Sequence, residues 1–198
     1  MNQKTERLEQ LRAQLHIKLK AKDFLENQIS PFKEIHTYLR QGGVAFTIID
    51  LLGIREEWLT FIGDDSGKTQ FPELVNSPGK SDAKELVTKL FAKYPSENAF
   101  RFVPQFDKIT PNPSSQASGL KDAVQRLALE NQTVYLYYLQ YAPLLQLQLA
   151  DLIQVANEDL FNFYYGDVVI FPENHSWLIS YSLEEEWYAG RKNSQHQN

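Results

Sequence analysis

Leu8, Leu11, Leu15 and Leu19 recur at helical spacing through the charged stretch from Thr5 to Glu26 and predict an amphipathic helix built from residues of good intrinsic propensity. Such a stripe has to lie on something, either the body of its own chain or the matching seam of a second copy. Ser30 and Pro31 then supply an N-cap and a proline at the first helical position. Phe32, Ile35 and Leu39 define an apolar face that ends at Gly42-Gly43, so this is a second helix. Val44 to Leu52 is almost wholly apolar, a pattern shared by a buried strand and a buried helix, and is read as helix. Ile54, Trp58, Phe61 and Ile62 again recur with helical spacing. Ser81 opens a further helix with Leu86, Leu90 and Tyr94 on one side and Val87 and Phe91 beside them, ended by Pro95.

The pattern then changes. Phe100 to Val103 reads as a short strand, and residues 104–118, rich in Pro, Ser, Gln and Asn, as an irregular surface loop or subdomain boundary. Gly119 to Asn131 carries Leu120, Val124 and Leu127 at helical spacing. Thr133 to Tyr141 is dominated by Val, Tyr and Leu on both faces and predicts a central strand. Leu145, Leu147 and Leu149 alternate like a strand, while Leu145, Leu149, Leu152 and Ala156 fit a helix; Pro143 as a helix starter tips the segment to helix. Leu160 to Tyr165 reads as a strand. Asp167 to Phe171, the turn formers Pro172 to Ser176, and Trp177 to Tyr181 predict a β-hairpin with Trp177 in the core. The sum is an α+β chain: a helical N-terminal half followed by a small, mostly antiparallel C-terminal sheet with packed helices. Residues 1–198 are expected to form a single domain, with 1–28 a helical extension.

Composition narrows the functions such a fold could serve. With 198 residues and 42% hydrophobic side chains the chain can bury a sizeable core. A net charge of −5 excludes a broad basic face for nucleic acid, since phosphate neutralisation needs clustered Lys and Arg, and favours a basic protein partner. The absence of cysteine removes disulfides, thiol nucleophiles and thiolate metal sites. No apolar run approaches the roughly 18 residues of a membrane span, and the first residues are polar, so a cytoplasmic protein without membrane contact is expected.

Few residues carry chemistry. Gly63 to Thr69 superficially suggests a phosphate-binding loop, but three residues separate Gly63 from Gly67 where four are needed, and Asp64 and Asp65 stand where phosphate oxygens belong. Asp167, Glu173 and His175 could in principle serve acid and base work or hold a metal, which would make the chain a hydrolase with its site near the 167–175 hairpin. Their spacing matches no metal or catalytic motif, so no cofactor or metal is expected, and His175 is read as a turn residue bonded to backbone. Glu184, Glu185 and Glu186, followed by Trp187, Tyr188 and Arg191, form an acidic and aromatic run suited to partner binding. A third reading is a helical scaffold or assembly protein that forms a homodimer through Leu8, Leu11, Leu15 and Leu19.

The stretch Asp167-Val168-Val169-Ile170-Phe171-Pro172-Glu173-Asn174-His175-Ser176-Trp177, followed by Glu184 to Glu186, resembles the terminal strand, turn and Trp-bearing strand of several immunity-type proteins of bacterial polymorphic-toxin systems. The likeness spans about two dozen residues. It implies a non-catalytic activity, that of a small acidic protein that plugs a toxin's active site or holds it inactive.

Overall fold

The computed structural model describes residues 3–24, 26–27, 30–50, 80–94, 96–98, 101–102, 107–109, 118–139, 144–161 and 167–191. The helix expected over 54–62 and the turn from Gly63 to Thr69 lie outside the described residues. Six helices carry the argument: α1 (Gln3–Phe24), α2 (Ser30–Gln41), α3 (Lys80–Lys93), α4 (Ser118–Arg126), α5 (Leu149–Val155) and α6 (Glu158–Phe161). The strands are β1 (Phe46–Asp50), β2 (Ser96–Asn98), β3 (Arg101–Phe102), β4 (Asp107–Ile109), β5 (Thr133–Tyr138), β6 (Leu144–Gln148), β7 (Val168–Phe171), β8 (Leu178–Tyr181) and β9 (Trp187–Gly190).

Seven strands form one sheet in the order β1-β6-β5-β7-β8-β9-β4, with every neighbouring pair antiparallel, and β2 and β3 pair separately. The fold is α+β. Both faces of the sheet are covered, which is why β5 reads as a nearly continuous apolar run. On one face Val134, Leu136, Tyr138, Ile170, Ile179 and Trp187 pack with α2, α4 and α5 through Phe32, Ile35, Leu39, Leu120 and Leu152. On the other, Tyr135, Tyr137, Val169, Phe171 and Leu178 pack against α3 through Ala83, Leu90 and Tyr94.

The sheet draws on more of the chain than the C-terminal half. β1 pairs with β6 at one edge and β4 with β9 at the other, so a strand lies inside the stretch 104–118 that was expected to be irregular. The run beginning at Val44 is strand and not helix over Phe46–Asp50. Phe46 and Ile48 are buried on the α2 face while Ile49 packs on the α3 side, and two covered faces erase the alternation that would have marked it. Residues 143–155 showed two periods because they contain two elements. Leu145 and Leu147 point to one face of β6, and the chain then passes directly into α5, where the Leu149 N–H donates to the Gln132 carbonyl and the Ala150 N–H to Asn131 Oδ1. Where a strand was expected from Leu160, Glu158–Phe161 is a short helix, with the Leu160 N–H bonded to Asn157 Oδ1.

Helix ends follow local chemistry. α2 closes with the Val44 N–H bonded to the Leu39 carbonyl and the Gly43 N–H to that of Arg40, Gly43 standing at φ +70° as this reversal requires. α4 ends in the same pattern, with Leu129 bonded to Val124 and Ala128 to Gln125, but places Ala128 at φ +48° where glycine is usual. Tyr38 ties α2 to α5 by donating to the Val155 carbonyl at 2.6 Å. No helix among the described residues is long and apolar enough to cross a membrane.

Candidate functional site

Apart from the α1 leucines, the residues singled out from the sequence lie on β7, β8 and β9, on the two turns joining them, or next to their ends, Asp167 just before β7 and Arg191 just after β9. Antiparallel pairing of Val168 with Tyr181, and of Tyr181 with Trp187, puts the two turns at opposite ends of the strands. Asp167 stands at the β8–β9 end; Glu173 and His175 stand at the other. Four residues of rise along β7 separate these ends by roughly 13 Å. Asp167, Glu173 and His175 therefore do not converge on one reacting atom.

The β7–β8 turn is docked into the protein. His175 takes φ +53°, a conformation that costs a non-glycine residue about 1 kcal/mol or more. Its neighbours hold it there: the His175 N–H donates to the Pro172 carbonyl, and Tyr94 Oη, just past the end of α3, donates to the His175 carbonyl at 2.9 Å. Nε2 lies 3.0 Å from the Leu86 carbonyl of α3, and since a carbonyl only accepts, the ring nitrogen facing it carries the proton. The imidazole stacks on Phe171 at 5.2 Å, and Phe171 in turn on Tyr135 at 5.5 Å. Burial pushes the His175 pKa down, with the charges of Lys93 and Lys89 adding to it and the backbones of Leu86 and Glu173 opposing it. This is a neutral histidine used as a clamp between turn and helix.

Glu173 is exposed on the same turn and lines a surface cleft of about 330 Å³ with Gln132, Thr133, Pro172 and Asn174. Tyr135, behind it, has its pKa raised, first by burial and then by the Glu173 charge, against a hydrogen bond from Gln146. Among the described residues no group of three or more His, Asp or Glu is placed to hold a metal ion.

The β8–β9 turn is built the other way. Asp167, almost wholly buried, accepts the Leu183 N–H on Oδ1 at 3.1 Å, reaching across from β7 to fix the first residue of the tip. Ser182 closes the loop: its N–H donates to the Glu186 carbonyl, its carbonyl accepts from the Glu185 N–H, and its Oγ accepts from the Glu186 N–H. Glu185 sits at φ +62°, so Leu183, Glu184 and Glu185 form a three-residue hairpin loop whose last residue is left-handed. Leu183, Glu184 and Glu185 all face solvent, Leu183 with 46% of its surface.

The six residues expected at a partner surface therefore separate. Glu184 and Glu185 are exposed at the tip. Glu186 and Tyr188 are half-buried and bonded to one another, Tyr188 Oη donating to Glu186 Oε2. Arg191 turns back to donate to the Leu127 carbonyl at the end of α4 at 2.7 Å. Trp187 is not at the surface at all: 1% exposed, it packs on Phe161 and Tyr181 at 5.0 and 4.9 Å. Gly119 of α4 makes its room, since a β-carbon there would fall 2.2 Å from Trp187 Cδ1. Among the described residues the indole Nε1 has no hydrogen-bond partner, and the ring is held by apolar and aromatic contact. Alternation from Trp187, two residues from Ala189 on a strand, would have placed it in the core; its position beside three glutamates hid that signal. Leu183 was the residue missed, and the signal for it was an apolar side chain inside a turn between two strands. Compared with known proteins, the chain matches no family model, no curated protein and no solved structure.

Proposed function

We propose that the chain is a non-catalytic binding protein of the immunity or inhibitor kind, acting in the cytoplasm, which sets its β8–β9 turn against a basic protein partner. The observation that supports this best is the tip itself, an exposed leucine followed by two exposed glutamates on a loop anchored by Asp167 and Ser182. A loop already fixed in one geometry loses little freedom on binding, so more of its contact energy appears as affinity. An apolar centre with charge around it has the composition of an interface, and a glutamate pair ahead of the sheet speeds encounter with a basic surface. The likeness of the Asp167 to Trp177 stretch to immunity-type proteins supports the same reading from the sequence side. An enzyme using Asp167, Glu173 and His175 gains no such support, because two of the three are committed to holding turns.

The test is kinetic. A basic partner captured with the full chain from its native cell is purified, and association is followed by stopped flow at low and high salt. Reversal of the tip charges, Glu184→Lys with Glu185→Lys, is expected to slow association at low salt by about tenfold and flatten its salt dependence. Unchanged rates and an unchanged salt slope would remove the tip from the contact.

A further inference from the structure

α1 turns its leucines away from the described body of the chain. Leu8, Leu11, Leu15 and Leu19 are 48%, 54%, 57% and 57% exposed, whereas Ala21 is buried and Ile17 half-buried. At about 100° per residue, Ala21 and Ile17 lie more than about 120° around the helix from the leucine line, so α1 rests on the body by the opposite side. Four half-exposed leucines in a row are a continuous patch of a few hundred Å², of the kind that marks an interaction surface.

Charge indicates what covers it. Arg7, Arg12, Lys18 and Lys22 stand within about a quarter turn of the leucine line, with Asp23 as the single acid of the helix there and Lys22 paired at 3.5 Å with Glu26 just beyond the helix. The helix holds six Lys and Arg against three Asp and Glu, a net +3; the whole chain is −5, so the remainder carries −8. Direct pairing of two α1 helices is poorly supported. With Leu8 and Leu15 at a and Leu11 at d, the next d and a positions are Lys18 and Lys22, so the apolar seam stops within the second heptad and cations face cations. An anionic membrane would attract the helix but repel the remainder of the chain. That same −8 attracts the helix of another molecule. α1 does not lay its leucines on the described body of its own chain, because its other side, with Ala21 and Ile17, is already there.

We infer that the basic leucine face of α1 docks on the acidic body of a second copy, reciprocally about a two-fold axis. Reciprocity follows from area: one stripe covers less than the roughly 800 Å² per partner of a typical stable interface, and a two-fold axis makes each contact twice. The inference stands apart from the role given to the β8–β9 tip.

Sedimentation of the full chain over a range of concentrations and salt tests it. A dimer is expected whose dissociation constant rises about tenfold between low and high salt, because opposite charges are being screened. Leu11→Glu with Leu15→Glu should raise it at least a hundredfold, and so, by charge alone, should Lys18→Glu with Lys22→Glu raise it about tenfold; circular dichroism checks that both variants keep their helix. The decisive measurement mixes fluorescently labelled wild type with the double leucine variant. That variant keeps an acidic body, so it accepts one wild-type helix and forms a mixed dimer weaker than the wild-type one. A chain monomeric at every concentration, a dimer that tightens with salt, a leucine variant that fails to mix, or a monomer that instead floats with anionic phosphatidylserine vesicles would each overturn the inference.

Discussion

The two turns that flank β8 use the same backbone device for opposite ends. Each places a non-glycine residue in the left-handed region, His175 at φ +53° and Glu185 at φ +62°. At the β7–β8 turn the residue that bears this cost is buried, and its ring, N–H and carbonyl are all engaged, two of the three with another element. At the β8–β9 turn the corresponding side chain faces water, and backbone bonds together with the buried Asp167 and Ser182 hold the loop from beneath. Strain alone therefore does not mark a functional residue. What distinguishes the turns is where the compensating contacts lie: behind the strained side chain in one, beneath it in the other.

The same substitution at both turns separates the cases. At His175, glycine relieves the backbone but removes the Phe171 stack and the bond to Leu86, and the lost contacts outweigh the relief. His175→Gly is expected to lower stability by about 2 kcal/mol, a fall in melting temperature of roughly 4 to 8 °C for a chain of this size. A neutral or stabilising outcome would show that the clamp to α3 contributes nothing and would erase the contrast.

Acid should loosen the clamped turn. Burial holds the folded-state pKa of His175 below the ordinary value of 6.5. Between those two values the unfolded chain binds more protons than the folded one, so stability rises with pH through that window. The contribution of neutral His175 is complete above about pH 6.5 and is lost as pH falls toward the folded pKa. Urea unfolding of wild type and His175→Asn, compared at pH 7.5 and pH 5, isolates this group; asparagine tolerates the left-handed backbone but does not titrate. The stability difference between the two proteins should shrink at pH 5. A difference that is constant with pH would mean that the imidazole titrates as it does in the unfolded chain.

Much of this architecture could be read from the residues, and the failures share a cause. The ends of α2 at Ser30 and Gly43, the central strand at Thr133 and the hairpin from Asp167 to Tyr181 each carried a local signal, a cap, a proline or a turn cluster. The Val44 run, the 143–155 segment and β4 were misjudged because their identity is fixed by partners far away in sequence. β1 is a strand by pairing with β6, and Asp107–Ile109 by pairing with β9. Trp187 was misplaced for the related reason that its fate depends on Gly119, nearly seventy residues earlier. The tip was half legible: its acids were evident, but Asp167 as its anchor and Leu183 as its exposed apolar centre needed the register of β7 against β8.

Glu185→Gly is the smallest and most selective way to sharpen the contrast. Its side chain faces solvent, so glycine loses no buried contact there and removes the left-handed penalty, at the cost of a more flexible unfolded chain. The balance should be a gain of about 0.5 kcal/mol, or 1 to 2 °C in melting temperature, opposite in sign to the same change at His175. The substitution leaves Asp167, Ser182 and the Leu183 backbone untouched, so the loop keeps its shape while losing one negative charge. Association with a basic partner should accordingly slow by a small factor, well short of the double reversal at Glu184 and Glu185, with dissociation little changed. A loss of stability on Glu185→Gly would show that the glutamate side chain is itself a strut of the loop, and the tip would then be a second clamped turn rather than a presented one.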